Sequence, residues 1–588
     1  MSILKNLLFR RSRLPATMEA ADELFTQGNL RAATQIYSGL FNKDRDSAEN
    51  GYKYARALRE TGEAKKAKAI LDSLVEAGKA SVDVLNLLGC LCKDEQDYST
   101  ASVYFQRASN ALGGVMSPAL RYNLLCSDRI AASKWYAVPS RNRRQQSEGL
   151  CIITPVGPGH EPYVNICRKS VRRAISANPS VFSFVEHLVI DDTSAQLGRS
   201  KARNVGIAKA GHLGATWLFF LDADDLLNED AFGFAADFMD DYDAVWGLIC
   251  AFVNGYPPVP RLNQVDLVTR IEDVLFADPV NTLQMGHFIR TSVASALRFN
   301  EEMNTGEDFD FYLRAWQQYK CIKAPREFFY NRRGESATGP RSEPIRTWLP
   351  TVNALIKREC HRKDYFSEFQ FENHPFRFLI RNPKDLLQRN HIAGSFFELE
   401  ELEFLRSILP NEARVIDIGA NVGNHTIYFS VVCGASAVFP FEPNPEAVLI
   451  LQANLQANNI TNVETKFLGL ALGSVPGSLY IESRDQDNLG AARLVDLPDS
   501  HATTAVPVAR LDELSLPPAD LIKIDVEGME LKVLHGSAEF IATNKPKLYV
   551  EVLNSNKSDF FQLIQSWGYV VNREYRYVNT SNYFVTAA

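Results

Sequence analysis

Four short runs hold the residues that could do chemistry. Val415 to Gly423 reads V-I-D-I-G-A-N-V-G, an apolar run emptying into a glycine-bearing turn where missing side chains let the backbone approach a nucleotide-like ligand. Glu442 follows Asp417 at the spacing at which a second strand offers a carboxylate to ribose hydroxyls, so Asp417, Gly419, Asn421, Gly423 and Glu442 form a candidate cofactor pocket. Leu521 to Gly528 reads L-I-K-I-D-V-E-G. If that strand stays extended, Lys523, Asp525 and Glu527 share one face by period-two alternation, and three ionisable groups there are costly to bury without use. Asp525 or Glu527 could accept a hydroxyl proton, with Lys523 orienting either acid. In the third run, Thr216-Trp-Leu-Phe-Phe-Leu runs into Asp222-Ala-Asp224-Asp225. Carboxylates at i and i+2 on a strand tip suit Mg²⁺ or Mn²⁺ shared with a diphosphate, and a solvated acidic turn is the plainer alternative. The fourth is Glu307-Asp308 in T-G-E-D-F-D-F-Y, either catalytic or an ordinary acidic helix N-terminus.

The elements that must carry these runs fall into three modules. Gly28, Gly62 and Gln96 are 34 residues apart, as are Ala33, Ala67 and Ala101, and Tyr37, Leu71 and Phe105. A turn residue, then a small one that lets two antiparallel helices approach, then a large one that fills the groove, is the pattern of a stacked helical hairpin. Ser117 to Lys134 adds one more helix or a cap, and polar Arg141 to Glu148 reads as a linker. From Leu150 on, short apolar runs at 150–155 and 188–192 alternate with helical patterns, which implies a parallel sheet whose ligands sit at the carboxyl ends of strands. A second doubly wound sheet uses runs at 415–418, 437–441, 465–470, 521–524 and 547–551.

The fold class expected is therefore multidomain: an α-helical repeat stack, an α/β domain, and a second, Rossmann-like α/β domain. The boundaries expected are an N-terminal segment 1–16, repeats 17–135, a linker 136–148, an α/β domain 149–340, a helical linker 341–365 and a last domain 366–588.

Each module resembles a known family. The repeat period resembles tetratricopeptide repeats, which implies a protein partner or self-association. The pair D-I-G-A-N-V-G and I-K-I-D-V-E-G resembles S-adenosylmethionine-dependent methyltransferases of the FkbM type, which implies a class I methyltransferase fold and that cofactor. Residues 150 to 340 resemble GT-A glycosyltransferases of the family-2 type. That likeness implies that Thr154 and Pro155 open a nucleotide site and that Asp191 or Asp192 contacts the base. It also implies that Arg203 and Asn204, in G-R-S-K-A-R-N-V-G, lie near the nucleotide, that Asp222 and Asp224 hold a metal-bound diphosphate, and that Asp308 is the general base of an inverting transfer. One departure concerns the run after Tyr330, Asn-Arg-Arg-Gly-Glu-Ser, which lacks the histidine often found there; Arg332, Arg333 and Ser336 could meet phosphate instead. The combined expectation is a bifunctional enzyme that transfers a sugar from a nucleotide sugar and methylates a glycan. The rival is a repeat scaffold with a degenerate transferase domain and an independent methyltransferase.

Composition fits this and excludes other classes. Net charge is −7, with 19 Lys+Arg against 15 Asp+Glu in residues 1–135, a balance unlike a nucleic-acid footprint. No run of about 18 uninterrupted apolar residues marks a membrane span. The nine cysteines are scattered, without paired C-x-x-C, so reduced thiols in the cytoplasm are expected, with peripheral contact at a membrane left open. His425 reads as a satisfied helix residue, and Glu551 as a weaker site candidate.

Overall fold

The computed structural model describes residues 17–588 apart from 27–28, 46, 96, 112–147, 253–257, 262–263, 333–341, 483–486 and 498–501. The N-terminal segment 1–16, the turn residues Gly28 and Gln96, the helix expected at 117–134, the linker to residue 147, and Arg333, Gly334 and Ser336 lie outside the described residues. The chain divides into two compact units, Met1–Leu349 and Pro350–Ala588, so the division falls inside the helix Ser342–Arg362 rather than at its end.

In the first unit, paired helices Met18–Thr26 and Leu30–Lys43, Ala48–Glu60 and Ala64–Glu76, and Val82–Asp94 and Tyr98–Ala111 repeat as the 34-residue period requires. Ala33, Ala67 and Ala101 are fully buried, and Tyr37, Leu71 and Phe105 pack beside them. Ser47 and Ser81 cap the first helices of the second and third pairs through the N–H groups of Asn50 and Val84. A Cβ on Gly89 would lie 2.4 Å from the Phe105 ring, which is why a small residue stands there.

The α/β part of this unit holds β1 (Gly149–Val156), β2 (Phe184–Asp191), β3 (Trp217–Phe220), β4 (Ala244–Trp246), β5 (His287–Arg290) and β6 (Cys321–Lys323). Their order is β2-β1-β3-β5-β4-β6. β2 and β3 flank β1 in parallel, while β5 runs antiparallel to β3 and β4. With helices Glu161–Ala177 and Gly198–His212 as the connections, this parallel pairing brings the carboxyl ends of β1, β2 and β3 to one edge. Trp217, Phe219, Phe288 and Phe328 fill the core beneath.

In the second unit, β7 (Arg414–Ile418), β8 (Ala437–Phe441), β9 (Leu521–Ile524), β10 (Lys547–Leu553), β11 (Tyr569–Arg576) and β12 (Thr580–Ala587) lie in the order β8-β7-β9-β10-β12-β11. The first four are parallel, and β12 is antiparallel to both neighbours. Pro440 is tolerated in β8 because that strand lies at the sheet edge. The strand expected at 465–470 is absent: Thr465–Phe467 forms a helical turn capped by Glu464, and Leu468 makes only an isolated parallel bridge to Glu442. No helix among the described residues is long and apolar enough to cross a membrane.

Candidate functional sites

The turn after β7 and the loop after β9 are built against one another. Gly419 has φ +80°, and a Cβ there would sit 1.7 Å from the Asp525 carbonyl oxygen, so only glycine fits. Asn421, at φ +48°, and Gly423, at φ +91°, continue the turn into the helix that starts at Asn424. Glu442, at the tip of β8, is 7% exposed and accepts the Asn421 and Asn444 N–H groups, each at 2.8 Å. Burial pushes its carboxyl up to about 7, against the downward pull of those two N–H groups.

Lys523 is the knot of the site. Its ammonium donates to the Gly419 carbonyl at 2.8 Å and lies 3.4 Å from both Asp417 and Asp525. Three acceptors match its three protons, so Lys523 ties the two segments together. Asp417 is fully buried and also accepts the Thr426 hydroxyl at 2.6 Å. It stands behind the pocket, and neither it nor Gly423 is among the lining residues; both shape the site indirectly.

The cavity, of about 280 Å³, is lined by Gly419, Asn421, Glu442, Lys523, Asp525 and Glu527. That is just below the usual range for small-molecule sites. The expectation that period-two alternation carries Asp525 and Glu527 is corrected: β9 ends at Ile524, and Glu527 has φ +47°, so both acids reach the cavity from a loop. Burial would raise Asp525, but the Lys523 ammonium outweighs it and holds this carboxyl below the usual range. Glu527 moves the other way, raised by burial and by the Asp525 charge. Glu551, on β10, shares a hydrogen bond with Asp525; burial and that neighbour push it up to about 9.

Two single residues find their place. His425 is a helix residue with a partner, Nε2 lying 3.3 Å from Glu398 Oε2, and it also lines the cavity. Glu551 belongs to the carboxylate cluster. Glu398, Arg493, Tyr577 and Thr580 also line the cavity and escaped the sequence reading, since none lies in a motif. Glu398 carries a conformational sign, φ +55°, visible only in three dimensions.

In the first unit, Arg203 joins two acids from the expected runs. Its guanidinium is 6% exposed and contacts Asp222 at 3.1 Å and Glu307 at 3.2 Å. Glu307 and Asp308 open the helix Glu307–Gln318 behind Gly306 at φ +76°, so the helix-terminus reading and the clustering with Asp222 both hold. Burial and Asp308 raise the Glu307 carboxyl despite Arg203. Asp224 is 6% exposed, and its carbonyl accepts Arg332 Nε at 3.0 Å; the Arg332 guanidinium lies against the Tyr163 and Phe252 rings. Asp225 accepts from Asn331 and the Arg332 backbone, and burial raises its carboxyl well above the usual range.

Other expected residues have local work. Asn204 spends its amide on Phe299 and Glu301. Asp192 accepts the Leu197 and Gly198 N–H groups, while exposed Asp191 accepts the Thr193 N–H and hydroxyl. Thr154 is buried against His187 at 2.9 Å, and Pro155 is half-buried.

Residues 417–577 match the methyltransferase FkbM domain, and residues 24–89 match the tetratricopeptide repeat. The chain is similar to Methyltransferase 1 of Beauveria bassiana, 27% identical over 28% of this chain and 74% of that protein. It is also similar to hexuronic acid methyltransferase AglP of Haloferax volcanii, 25% identical over 27% of this chain and 63% of that one. Among solved structures, TarS 1-349 of S. aureus in complex with UDP-GlcNAc is 19% identical, covering 37% of this chain and 68% of that chain, at a TM-score of 0.28. A doubly wound sheet with its cavity at the tips of β7, β8 and β9, matched by that domain model, defines the second unit as a methyltransferase. Within that class it is an FkbM methyltransferase domain, carried on a chain that also holds tetratricopeptide repeats.

Proposed function

We propose that the second unit uses S-adenosylmethionine to O-methylate a glycan, and that the α/β part of the first unit transfers a sugar from a nucleotide sugar to the same or a related glycan. The observation that carries the first half is the cavity whose lining brings together Gly419, Glu442, Asp525, Glu527 and Glu551. The residues fit the cofactor: Asn421 Oδ1 is buried without a partner in the described structure, and Glu442 offers a carboxylate to a ribose diol. S-adenosylmethionine supplies an electrophilic methyl group, so the chain's task is to position and deprotonate an acceptor hydroxyl. Glu527 is the stronger base, because Asp525 is held ionised by Lys523 while Glu527 is raised. A glycan acceptor is supported by the hexuronic acid methyltransferase among the relatives.

For sugar transfer, the support is the cluster of Arg203, Asp222, Glu307 and Asp308 at the ends of β3 and a neighbouring helix. Asp308 takes the acceptor proton. Asp222 and Asp224 would hold Mg²⁺ or Mn²⁺, which neutralises the departing diphosphate. Among the described residues no third His, Cys, Asp or Glu completes a metal cluster, so the diphosphate would supply further oxygens. The repeats would dock a protein partner or a second copy. Mass spectrometry of glycan fractions incubated with S-adenosylmethionine and a nucleotide-sugar panel tests both halves. Products one sugar and one methyl heavier are expected, and chelation or Asp224→Asn should remove only the sugar increment. Methylation without any sugar addition would leave the scaffold reading of the first unit.

A further inference from the structure

The helix Ser342–Arg362 lies past the expected end of the sugar-transferase domain, at residue 340, in the segment that reads as a linker. One of its side chains reaches back. The Trp348 indole N–H donates to Asp308 Oδ1 at 2.8 Å, and the Phe309 backbone N–H donates to the same oxygen at 2.8 Å. The Trp348 ring stands edge-on to fully buried Phe309, with centroids 6.4 Å apart and planes at 89°, which fixes the indole against the start of the Glu307 helix.

These contacts are unequal on the carboxylate. Oδ1 receives two hydrogen bonds, whereas among the described residues Oδ2 receives none. Two donors on one oxygen fix the rotation of the carboxylate plane, leaving the other oxygen's lone pairs open to a hydroxyl. We infer that Trp348 is a positioning residue for the base Asp308, so that the linker helix completes the sugar-transfer site and Asp308 Oδ2 is the atom that accepts the proton. This rests on the sugar-transfer reading. In that step the acceptor O–H proton passes to Oδ2, and the acceptor oxygen bonds to the anomeric carbon. The bond from that carbon to the diphosphate oxygen breaks, and the nucleoside diphosphate leaves with the electron pair.

The test uses the full chain and follows nucleoside-diphosphate release from a fixed panel of UDP- and GDP-hexoses, with water as acceptor, in Mn²⁺. Trp348→Phe keeps a ring but removes the N–H, and should lower kcat about tenfold with donor KM unchanged. Trp348→His, which restores a ring N–H, should recover part of the loss; it also serves if the Phe variant fails to accumulate. In an Asp308→Asn background, Trp348→Phe should change nothing further, because a residue acting only through Asp308 has nothing left to position. An equal loss in both backgrounds, or no loss in either, overturns the inference while the sugar-transfer reading stands. Release that is unaffected by Asp308→Asn, or absent for every donor, overturns that reading and the inference with it.

Discussion

Glu442 sits between two backbone N–H groups in a buried pocket, and its carboxyl is raised to about 7. The ionised form is the one that accepts ribose hydroxyls, so below that value binding must first remove a proton. Affinity for S-adenosylmethionine should weaken by up to about tenfold for each pH unit below 7, and the slope should vanish in Glu442→Gln. Calorimetry across pH 5.5 to 8 reads this directly, and a parallel slope in both proteins would remove Glu442 from the binding site. The acids across the cavity predict a different profile. Glu551, raised to about 9, stays protonated at neutral pH and donates to Asp525. Its ionisation above that value sets two charges side by side, so methylation should decline through an alkaline limb near 9. Glu551→Gln mimics the protonated acid and should keep the neutral rate within a few-fold while abolishing that limb. Glu527→Gln removes the proposed base and should lower methylation by about 10² or more with cofactor affinity kept. If Asp525→Asn is the more damaging of the two, the base is Asp525.

At the scale of elements, the tightest constraint is the approach of the β7 turn to the loop after β9. A methyl group at Gly419 meets the Asp525 carbonyl at 1.7 Å on a backbone at φ +80°. Gly419→Ala should therefore part the two loops and break the Lys523 bond to the Gly419 carbonyl. Loss of cofactor binding with the sheet still folded by circular dichroism is the expected result, and normal binding would contradict the packing argument. Gly89→Ala, 2.4 Å from the Phe105 ring, should destabilise the repeats by about 1–3 kcal/mol in thermal unfolding without touching methylation. Such positions explain what the sequence made legible. The 34-residue period, the strand before Gly419 and the acids after β3 are local patterns, so spacing alone located them. Glu398, Tyr577 and Thr580 enter the cavity from segments far along the chain, through hairpin and loop geometry that no local spacing encodes. Alternation failed for Asp525 and Glu527 because β9 stops at Ile524; loop curvature then brought both acids into the pocket by another route. Position in sequence also hid Trp348, whose partner Asp308 lies 40 residues earlier.

For the whole molecule, the division at Leu349 and Pro350 gives a sharper test of autonomy than the expected start at residue 366. Residues just before 366 are tied into the second unit. The Ile380 N–H donates to the Tyr365 carbonyl at 2.9 Å, Arg381 donates to the Cys360 carbonyl at 2.6 Å, and the same guanidinium pairs with Asp364 at 2.6 Å. A fragment Pro350–Ala588 keeps all three and should unfold in one cooperative transition and bind S-adenosylmethionine with the affinity of the full chain. A fragment starting at Phe366 loses them. At about 1 kcal/mol net for each hydrogen bond, the shorter fragment should be less stable by about 3 kcal/mol, or roughly 6–12 °C in Tm for a domain of this size. Scanning calorimetry of both fragments with and without cofactor separates the outcomes. Equal melting temperatures would make the second half of the helix a passive linker. Failure of the longer fragment to bind would mean that the methyltransferase needs residues from the first unit.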